Sequence, residues 1–292
     1  MAHLLLVLTT LFWSGNFVLA RAMHLEIPPL SLALLRWSLA FVILAPWVLP
    51  ALWRERQVLL THYRMLLLLA LLGVANFNTF VYLGVQHTTA TNATLMQSAV
   101  PVVILLLSGL LGQPVRPIQL MGILLSLSGV LFIVTRGDWS SLLALALNPG
   151  DLWIMAAVLT WSLYTLCLRW RPQALSALAL LGSTIGLGVA MLLPLFLWEL
   201  GTGAHIQWSR SSVMVVGYVA LFPSVLAYFF WNHGVSRLGA QRAGLYIHLM
   251  PVFGLLLSVL FLGESVLPFH LLGIGLIFAG IYLATGRQSR VL

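Results

Sequence analysis

Long apolar stretches separated by charged residues set the pattern of this chain. Nine uncharged runs contain at least 17 residues each, and the longest covers residues 65–115. About 20 apolar residues cross a bilayer as a helix, so this run is too long for one helix. The polar segment Gln86–Asn92 divides it in two. The pattern therefore predicts ten transmembrane helices, near residues 3–22, 29–52, 65–86, 91–112, 117–135, 151–169, 174–198, 211–234, 241–262 and 267–286.

The composition agrees with a membrane protein. Hydrophobic residues make up 61% of the 292 residues and charged residues only 7%, against about 45–50% and about 25% in soluble domains. Such a composition excludes a water-soluble globule and intrinsic disorder. We therefore predict an all-α integral membrane protein. The segment 139–150 is too short to cross a bilayer and ends in Asn148-Pro149-Gly150, which is typical of a connecting loop.

All 14 basic residues are arginines, and they stand singly or in pairs between the apolar runs. They form no cluster that suits a phosphate backbone, so no nucleic-acid partner is predicted. Ten of them fall in loops 2, 4, 6 and 8 and the C-terminus, and three fall in loops 1, 5 and 7. Because basic loops stay in the cytoplasm, both termini are predicted to be cytoplasmic, in the inner membrane of a bacterium.

The second half of the chain repeats the first. Segments 84–108 and 234–258 agree at 11 of 25 positions. Matches at nearly constant spacing include Trp13/Trp161, Gly84/Gly234, Pro101/Pro251 and Gly129/Gly280. The predicted organisation is a first five-helix repeat at 1–136, a connecting loop at 137–150 and a second five-helix repeat at 151–292. Since five is odd, the repeats are inverted, which is typical of secondary transporters that bind solute between the repeats near the midplane.

Several of these features together resemble the EamA-type branch of the drug/metabolite transporter (DMT) superfamily. They are the 5+5 repeat, the WSGNF motif at Trp13, Arg36 in helix 2, a proline within helices 4 and 9, and Gly263-Glu264 before helix 10. Within that branch the chain is most similar to YddG-type exporters of aromatic amino acids. It departs from the repeat by having Gln113 where the second half has Glu264. The resemblance implies alternating access around a cavity between helices 1, 3, 4, 6, 8 and 9.

Polar and aromatic side chains at helical spacing supply a candidate substrate-binding set. Asn78 and Tyr82 lie one turn apart in helix 3, as do Tyr228 and Asn232 in helix 8. Polar groups at lipid depth are costly and usually face a cavity, but they also serve as hydrogen bonds between helices. Both interpretations stay open. The full predicted set is Trp13, Asn16, Asn78, Tyr82, Gln97, Trp161, Tyr164, Tyr228, Asn232 and His248.

Other residues have two interpretations as well. Pro101 and Pro251 each free the carbonyl four residues earlier, which predicts either a gating kink or a permanent one. Arg36 lies roughly 10 Å into helix 2 at 1.5 Å per residue, and we expect it to snorkel outward and pair with Glu26 rather than bind substrate. Glycine stripes in helices 5, 7 and 10 favour close helix packing or a dimer seam, so monomer and homodimer both stay open.

The chemistry of the candidate set favours a secondary exporter of small amphipathic aromatic solutes, among them aromatic and neutral amino acids. Rings would enclose an apolar body, and amides would bind a carboxylate or amine. The alternative is an exporter of cationic drugs or other metabolites through cation–π contacts. A non-transporting intramembrane enzyme or lipid-binding scaffold would need acids or histidines clustered at one depth, which the sequence lacks. We predict no enzymatic activity, metal or cofactor; the expected partners are the solute and membrane lipid.

Overall fold

The computed structural model describes residues 1–112, 117–138, 148–238, 243 and 245–285, which are almost entirely helical. Within these residues, seven helices are long and apolar enough to cross a membrane, and three shorter apolar helices bring the number to the ten predicted. In chain order they are α1 (Ala2–Ala22), α2 (Pro29–Arg54), α3 (Tyr63–His87), α4 (Ala90–Leu110), α5 (Pro117–Val134), α6 (Pro149–Trp170), α7 (Ala177–Gly201), α8 (Arg210–Leu238), α9 (Tyr246–Leu262) and α10 (Pro268–Thr285).

Local signals explain where several helices begin and end. Helix α2 begins at Pro29, whose fixed φ suits the first helical position. Helix α6 begins at Pro149, and the side chain of Asn148 caps it by accepting a hydrogen bond from the Gly150 N–H at 2.8 Å. Helix α9 ends at Gly263, whose φ of 64° lies in the left-handed region that glycine adopts readily.

Parts of several predictions lie outside the described residues. They concern Gln113, positions 139–147 of the connecting loop, and the arginines Arg116, Arg242, Arg287 and Arg290. The predicted bounds of the ten helices otherwise agree with the structure to within about five residues. A short helix, Arg56–Thr61, follows α2 and is absent from the predicted elements.

The first helix of each half packs against the other half. Helix α1 lies against α8 and α9, while α6 lies against α3 and α4. Glycines make these contacts close, because a Cβ on Gly234 of α8 would collide with Leu6 of α1. In the same way, a Cβ on Gly84 of α3 would collide with Ile154 of α6. The same packing therefore occurs twice: the first helix of each half, α1 or α6, packs among helices of the opposite half.

The glycine stripes that the sequence shows in α5, α7 and α10 are used inside the chain. Helices α5 and α10 pack against each other, and a Cβ on Gly280 would meet the backbone of Gly122 and Ser126. Gly182 of α7 lies directly against the side chain of Val48 in α2. Small residues allow helix backbones to approach closely in membranes. Packing within one chain therefore accounts for these stripes.

Helices α3 and α8 contain matching irregular turns. Residues Leu71–Asn76 of α3 and Leu221–Leu226 of α8 are π-helical, at an offset of 150 residues. A π-helical turn widens the helix and leaves backbone carbonyls without their usual partners, and such turns often occur at functional sites. Both turns lie near the middle of their helices, where the polar side chains of the bundle are found.

Helices α4 and α9 are also irregular at matching places. Each contains a 3₁₀ turn, Gln97–Ala99 in α4 and Leu245–His248 in α9. Pro101 and Pro251 follow within the first turn of the next α-helical segment. In that position a proline lacks only an N–H that has no intrahelical partner anyway, so the ring fits without breaking the helix.

Candidate functional site

A narrow cavity lies at the centre of the bundle, where seven of the ten helices meet. It is lined by side chains of α1, α2, α3, α4, α6, α8 and α9. The lining residues are Trp13, Asn16, Phe17, Arg36, Phe77, Asn78, Gln97, Val100, Trp161, Tyr228, Ile247 and Met250. The lining includes α2 in addition to the six helices that the family resemblance implies.

Aromatic rings from both halves meet at this cavity. The rings of Trp13 and Trp161 have centroids 5.5 Å apart and an interplanar angle of 79°, which is an edge-to-face contact. Tyr228 lies 6.3 Å from Trp13 and 6.0 Å from Trp161, and Phe77 lies 4.8 Å from Trp161. Since the rings touch one another, a solute ring has to separate them before it can bind between them.

The π-helical turns fix two of these rings. The indole Nε1–H of Trp13 donates to the carbonyl of Pro223 at 3.1 Å, and the hydroxyl of Tyr228 donates to the carbonyl of Gly73 at 3.1 Å. Gly73 and Pro223 hold corresponding positions in the two π-helical turns. The backbone that these turns release therefore orients the aromatic side chains of the cavity.

Arg36 is the charged member of the cavity wall. Only 2% of its surface is exposed, and its guanidinium donates hydrogen bonds to oxygens from several other helices. The acceptors are Ser224 Oγ (2.5 Å), Asn78 Oδ1 (2.6 Å), Tyr82 Oη (2.9 Å), Asn16 Oδ1 (3.0 Å) and the Pro223 carbonyl (3.3 Å). Each of these oxygens is uncharged.

The expectation that Arg36 snorkels outward to Glu26 is wrong. Glu26 instead accepts a hydrogen bond from the Ser209 hydroxyl at 2.8 Å. The neutral oxygens around Arg36 replace water as acceptors, so the guanidinium is solvated without reaching the membrane surface. The sequence carries a partial signal, because Asn78 and Tyr82 are one turn apart, but the acceptor carbonyl of Pro223 depends on a π-helical turn that the sequence does not reveal.

Four residues of the predicted substrate set lie outside the cavity lining. Tyr82 lies behind Arg36 and donates to Asn16 Oδ1 at 2.8 Å. Tyr164 packs against Trp161 with centroids 5.0 Å apart. The ring of His248 is buried, and its centroid lies 6.1 Å from that of Phe278 in α10. Asn232 is partly exposed on α8.

The remaining predicted residues line the cavity together with five apolar residues that the prediction omits. The five are Phe17, Phe77, Val100, Ile247 and Met250. Phe17 lies one turn from Trp13 on the same face of α1, which is the available sequence signal. Apolar residues elsewhere in the helices look alike in sequence, so Val100, Ile247 and Met250 carry no such mark.

Carboxylates close one end of the bundle by capping helices of the other half. Glu199 at the end of α7 accepts from the backbone N–H groups of Leu30 and Ser31 at 2.9 and 2.7 Å. Glu264, before α10, accepts from those of Ala90 and Thr91 at 3.0 Å each. Both carboxylates lie at helix N-termini, where negative charge is favourable. They therefore join the two halves on the side where the even-numbered helices begin.

Comparison with known proteins identifies the relatives of this chain. A model of the EamA-like transporter family matches residues 1–135 and 148–286. An uncharacterized transporter of Archaeoglobus fulgidus is 29% identical over 99% of this chain and 98% of its own length. A protein of Streptantibioticus cattleyicolor named "Probable terminal-alkyne amino-acid exporter" is 27% identical over 97% of this chain and 92% of its own length. A crystal structure with 21% sequence identity superposes with a TM-score of 0.67 and covers 97% of both chains, so the two share a fold.

Proposed function

The chain belongs to the EamA-like transporter family, and from that premise we propose that it exports small amphipathic aromatic solutes, aromatic and neutral amino acids among them. The observation that carries the proposal is the central cavity, in which aromatic rings from both halves face amide and guanidinium groups. Rings enclose an apolar body with a preferred edge-to-face geometry. The polar groups hold the head of the same solute, so the wall is complementary to an amphipathic molecule.

The packing of α1 and α6 against the opposite halves of the chain supports alternating access. The cavity lies between helices of both halves, and its rings are in contact in the described state. Moving one half against the other separates Trp13 from Trp161 and opens the cavity toward one side of the membrane. The solute then replaces the ring–ring contact with ring–solute contacts of the same kind, so its binding offsets the cost of opening.

Two observations narrow the class of solute. The S. cattleyicolor relative is named an amino-acid exporter, which favours amino acids as solutes here as well. A cationic drug, the alternative solute, would meet the buried positive charge of Arg36 in the same cavity. Like charges repel strongly where water is excluded, so the cavity favours neutral, zwitterionic or anionic solutes over cations.

The proposed setting is the inner membrane of a bacterium, with both termini in the cytoplasm. The chain is a multi-pass membrane protein of a transporter family with bacterial relatives. The finer assignment rests on the arginine distribution of the loops. The small-molecule solute and the surrounding lipid are the proposed partners, and we propose transport without enzymatic chemistry.

Reconstitution tests this function directly. Purified protein in liposomes preloaded with unlabelled tryptophan or phenylalanine is expected to take up the labelled amino acid by counterflow. The Trp161→Ala variant, matched for reconstituted amount, is expected to take up less because one ring of the cavity is missing. Failure of the wild type to exchange any aromatic amino acid or related neutral solute would contradict the proposal.

A further inference from the structure

We propose that Arg36, Asn78 and Gln97 form a carboxylate subsite, so that the transported solutes carry a carboxylate beside an apolar or aromatic body. This inference rests on the proposed function, because it assigns the solute class of the same cavity. The three side chains come from consecutive helices α2, α3 and α4 and line one cavity.

The first argument is the uncompensated charge of Arg36. Among the described residues, every oxygen that accepts a hydrogen bond from its guanidinium is neutral. Neutral acceptors satisfy N–H groups but leave the positive charge without a counter-charge, which is costly in a buried site. In addition, Nη2 carries two hydrogens, and the structure gives it a single bond of 3.3 Å, to the Pro223 carbonyl. A solute carboxylate supplies both the missing charge and a better acceptor.

The second argument is a pair of unused donors in the same cavity as that charge. Asn78 Nδ2 and Gln97 Nε2 are buried and have no hydrogen-bond partner within the described residues. Asn78 is oriented by Arg36, because its Oδ1 accepts from Nη1 at 2.6 Å and its Nδ2 therefore remains as a donor. Buried donors are rarely left unpaired in native proteins. A carboxylate has two oxygens and about four acceptor positions, so it can satisfy donors of this kind together.

The third argument is that the opposite wall lacks these groups. At an offset of 150 residues, Tyr228 stands in place of Asn78 and Ile247 in place of Gln97. Helix α7, the counterpart of α2, has no basic residue between Ala177 and Gly201 in the sequence. The guanidinium and the two amides that α2, α3 and α4 contribute to the lining therefore have no counterpart on α8 and α9, which contribute Tyr228, Ile247 and Met250. This asymmetry orients a solute with its carboxylate toward α2, α3 and α4 and its body toward α8 and α9.

The test compares solutes that share one ring and differ in the head group. Isothermal titration calorimetry on the whole protein in nanodiscs at pH 7 uses 3-phenylpropionate, 3-phenylpropionamide, 3-phenylpropylamine and phenylalanine. We expect the carboxylate to bind about 10- to 100-fold more tightly than the amide, because hydrogen bonds to charged groups are stronger. We expect the amine to bind most weakly and phenylalanine to bind more tightly than the amide.

Variants at Gln97 separate the subsite from general folding. Gln97→Leu removes one donor and is expected to weaken 3-phenylpropionate binding about 2- to 10-fold and to weaken amide binding less, because a hydrogen bond to a neutral acceptor is weaker than one to a charged acceptor. Gln97→Glu places a negative charge in the cavity that Arg36 lines, so we expect carboxylate binding to fall at least about tenfold and amine binding to improve. Thr79→Val is the matched control, since Thr79 is buried next to Asn78 but does not line the cavity.

The outcomes distinguish this inference from the function on which it rests. Equal affinity of the wild type for carboxylate and amide would overturn the subsite, and transport of aromatic solutes would still stand. The subsite is also overturned if neither Gln97→Leu nor Gln97→Glu changes the ratio of the carboxylate affinity to the amide affinity. If none of the four solutes binds or exchanges, the proposed function fails and the inference falls with it.

Discussion

Trp13 and Trp161 hold equivalent positions in the two halves, yet the structure fixes them by different means. The indole of Trp13 donates to the Pro223 carbonyl at 3.1 Å. Trp161 is held by rings on either side, with Phe77 at 4.8 Å and Tyr164 at 5.0 Å between centroids. The first indole depends on a hydrogen bond and the second on ring packing, so the same substitution has different consequences at the two sites.

Phenylalanine substitutions expose this difference. Trp13→Phe removes this donor and leaves the Pro223 carbonyl with only the 3.3 Å hydrogen bond from Arg36, which we expect to lower the free energy of unfolding by about 0.5–1.5 kcal/mol. Trp161→Phe keeps an aromatic ring among its neighbours and is expected to cost less. Thermal unfolding of the two purified variants in the same detergent measures the difference. Equal destabilisation would show that the Trp13 hydrogen bond contributes nothing.

Alanine substitutions at the same residues report on solute binding. Removing either indole deletes apolar burial and aromatic contact worth about 1–3 kcal/mol, or roughly 5- to 150-fold in apparent affinity. Competition for counterflow uptake, at matched amounts of protein, measures the loss. If Trp13→Ala and Trp161→Ala both transport normally, the two indoles are packing residues and the solute binds elsewhere.

At this scale the sequence predicts which residue types form the site better than it predicts their arrangement. The repeat pairs Trp13 with Trp161, and both line the cavity. The sequence predicts that Arg36 snorkels outward, because position along a helix says nothing about neutral acceptors that other helices supply. Asn232 lies one turn from Tyr228 in the regular α-helical part of α8 but outside the lining, since spacing along one helix does not reveal how far along that helix the cavity extends.

Among the helices, α10 shows how closely the elements of this bundle approach one another. A Cβ on Gly280 would meet the backbone of α5 at Ser126 and Gly122, and backbone atoms cannot move aside as side-chain ends do. Gly275 in the same helix is exposed, and a Cβ there would meet nothing within 4 Å. Helix α10 therefore contains one glycine at which an added Cβ would collide, Gly280, and one at which it would not, Gly275.

We expect Gly280→Ala to lower the free energy of unfolding by about 1–3 kcal/mol, because the added methyl group separates α5 from α10. Gly275→Ala is the matched control and is expected to be neutral or to stabilise by up to about 1 kcal/mol, since alanine favours the helix. Melting temperatures of the two variants in detergent test this. A similar loss in both variants would contradict the close approach of the two helices.

The elements were largely predictable because each helix is marked by an apolar run between charged residues. The irregular turns at 71–76 and 221–226 contain Gly73 and Pro223, which are unfavourable inside a helix, but these residues do not reveal that the turns are π-helical. In these turns the carbonyls of Gly73 and Pro223 accept hydrogen bonds from Tyr228 and Trp13, and the sequence does not reveal these contacts between different helices. Pro101 and Pro251 indicate where α4 and α9 are irregular, but not the 3₁₀ geometry of the turns before them.

For the whole molecule, the carboxylate caps link the halves at one end. Opening that end requires Glu264 to release the N–H groups of Ala90 and Thr91. Glu264→Gln weakens this cap by about 0.5–2 kcal/mol and should favour the state open on that side. We expect a cysteine at Val100, in a Cys167→Ser background, to react severalfold faster with an impermeant maleimide added outside.

Glu55 provides the control for that measurement. It accepts from the backbone N–H of Ser176 at 2.8 Å, at the opposite end of the bundle. Glu55→Gln is therefore expected not to speed labelling of Val100→Cys from outside. Equal acceleration by both variants, or none by Glu264→Gln, would show that the caps do not hold the outer end closed.

The orientation of the molecule is tested with the same reagent. His205 lies exposed between α7 and α8, and Gln57 lies exposed between α2 and α3. We expect His205→Cys to be labelled in intact cells and Gln57→Cys only after permeabilisation, since the arginine-rich loops stay in the cytoplasm. Labelling of Gln57→Cys in intact cells would reverse the proposed topology.

The exchange of α1 and α6 between the halves has a consequence for biosynthesis. Helix α1 leaves the ribosome first, but its native neighbours α8 and α9 end at Leu238 and Leu262. The buried hydroxyls of Thr9 and Ser14, which donate to the carbonyls of Ala227 and Met250, therefore lack these acceptors until most of the chain has been translated. We therefore expect the insertion machinery to retain α1 until α8 and α9 have been made. A ribosome stalled before residue 210 should leave α1 close enough to crosslink to the translocon.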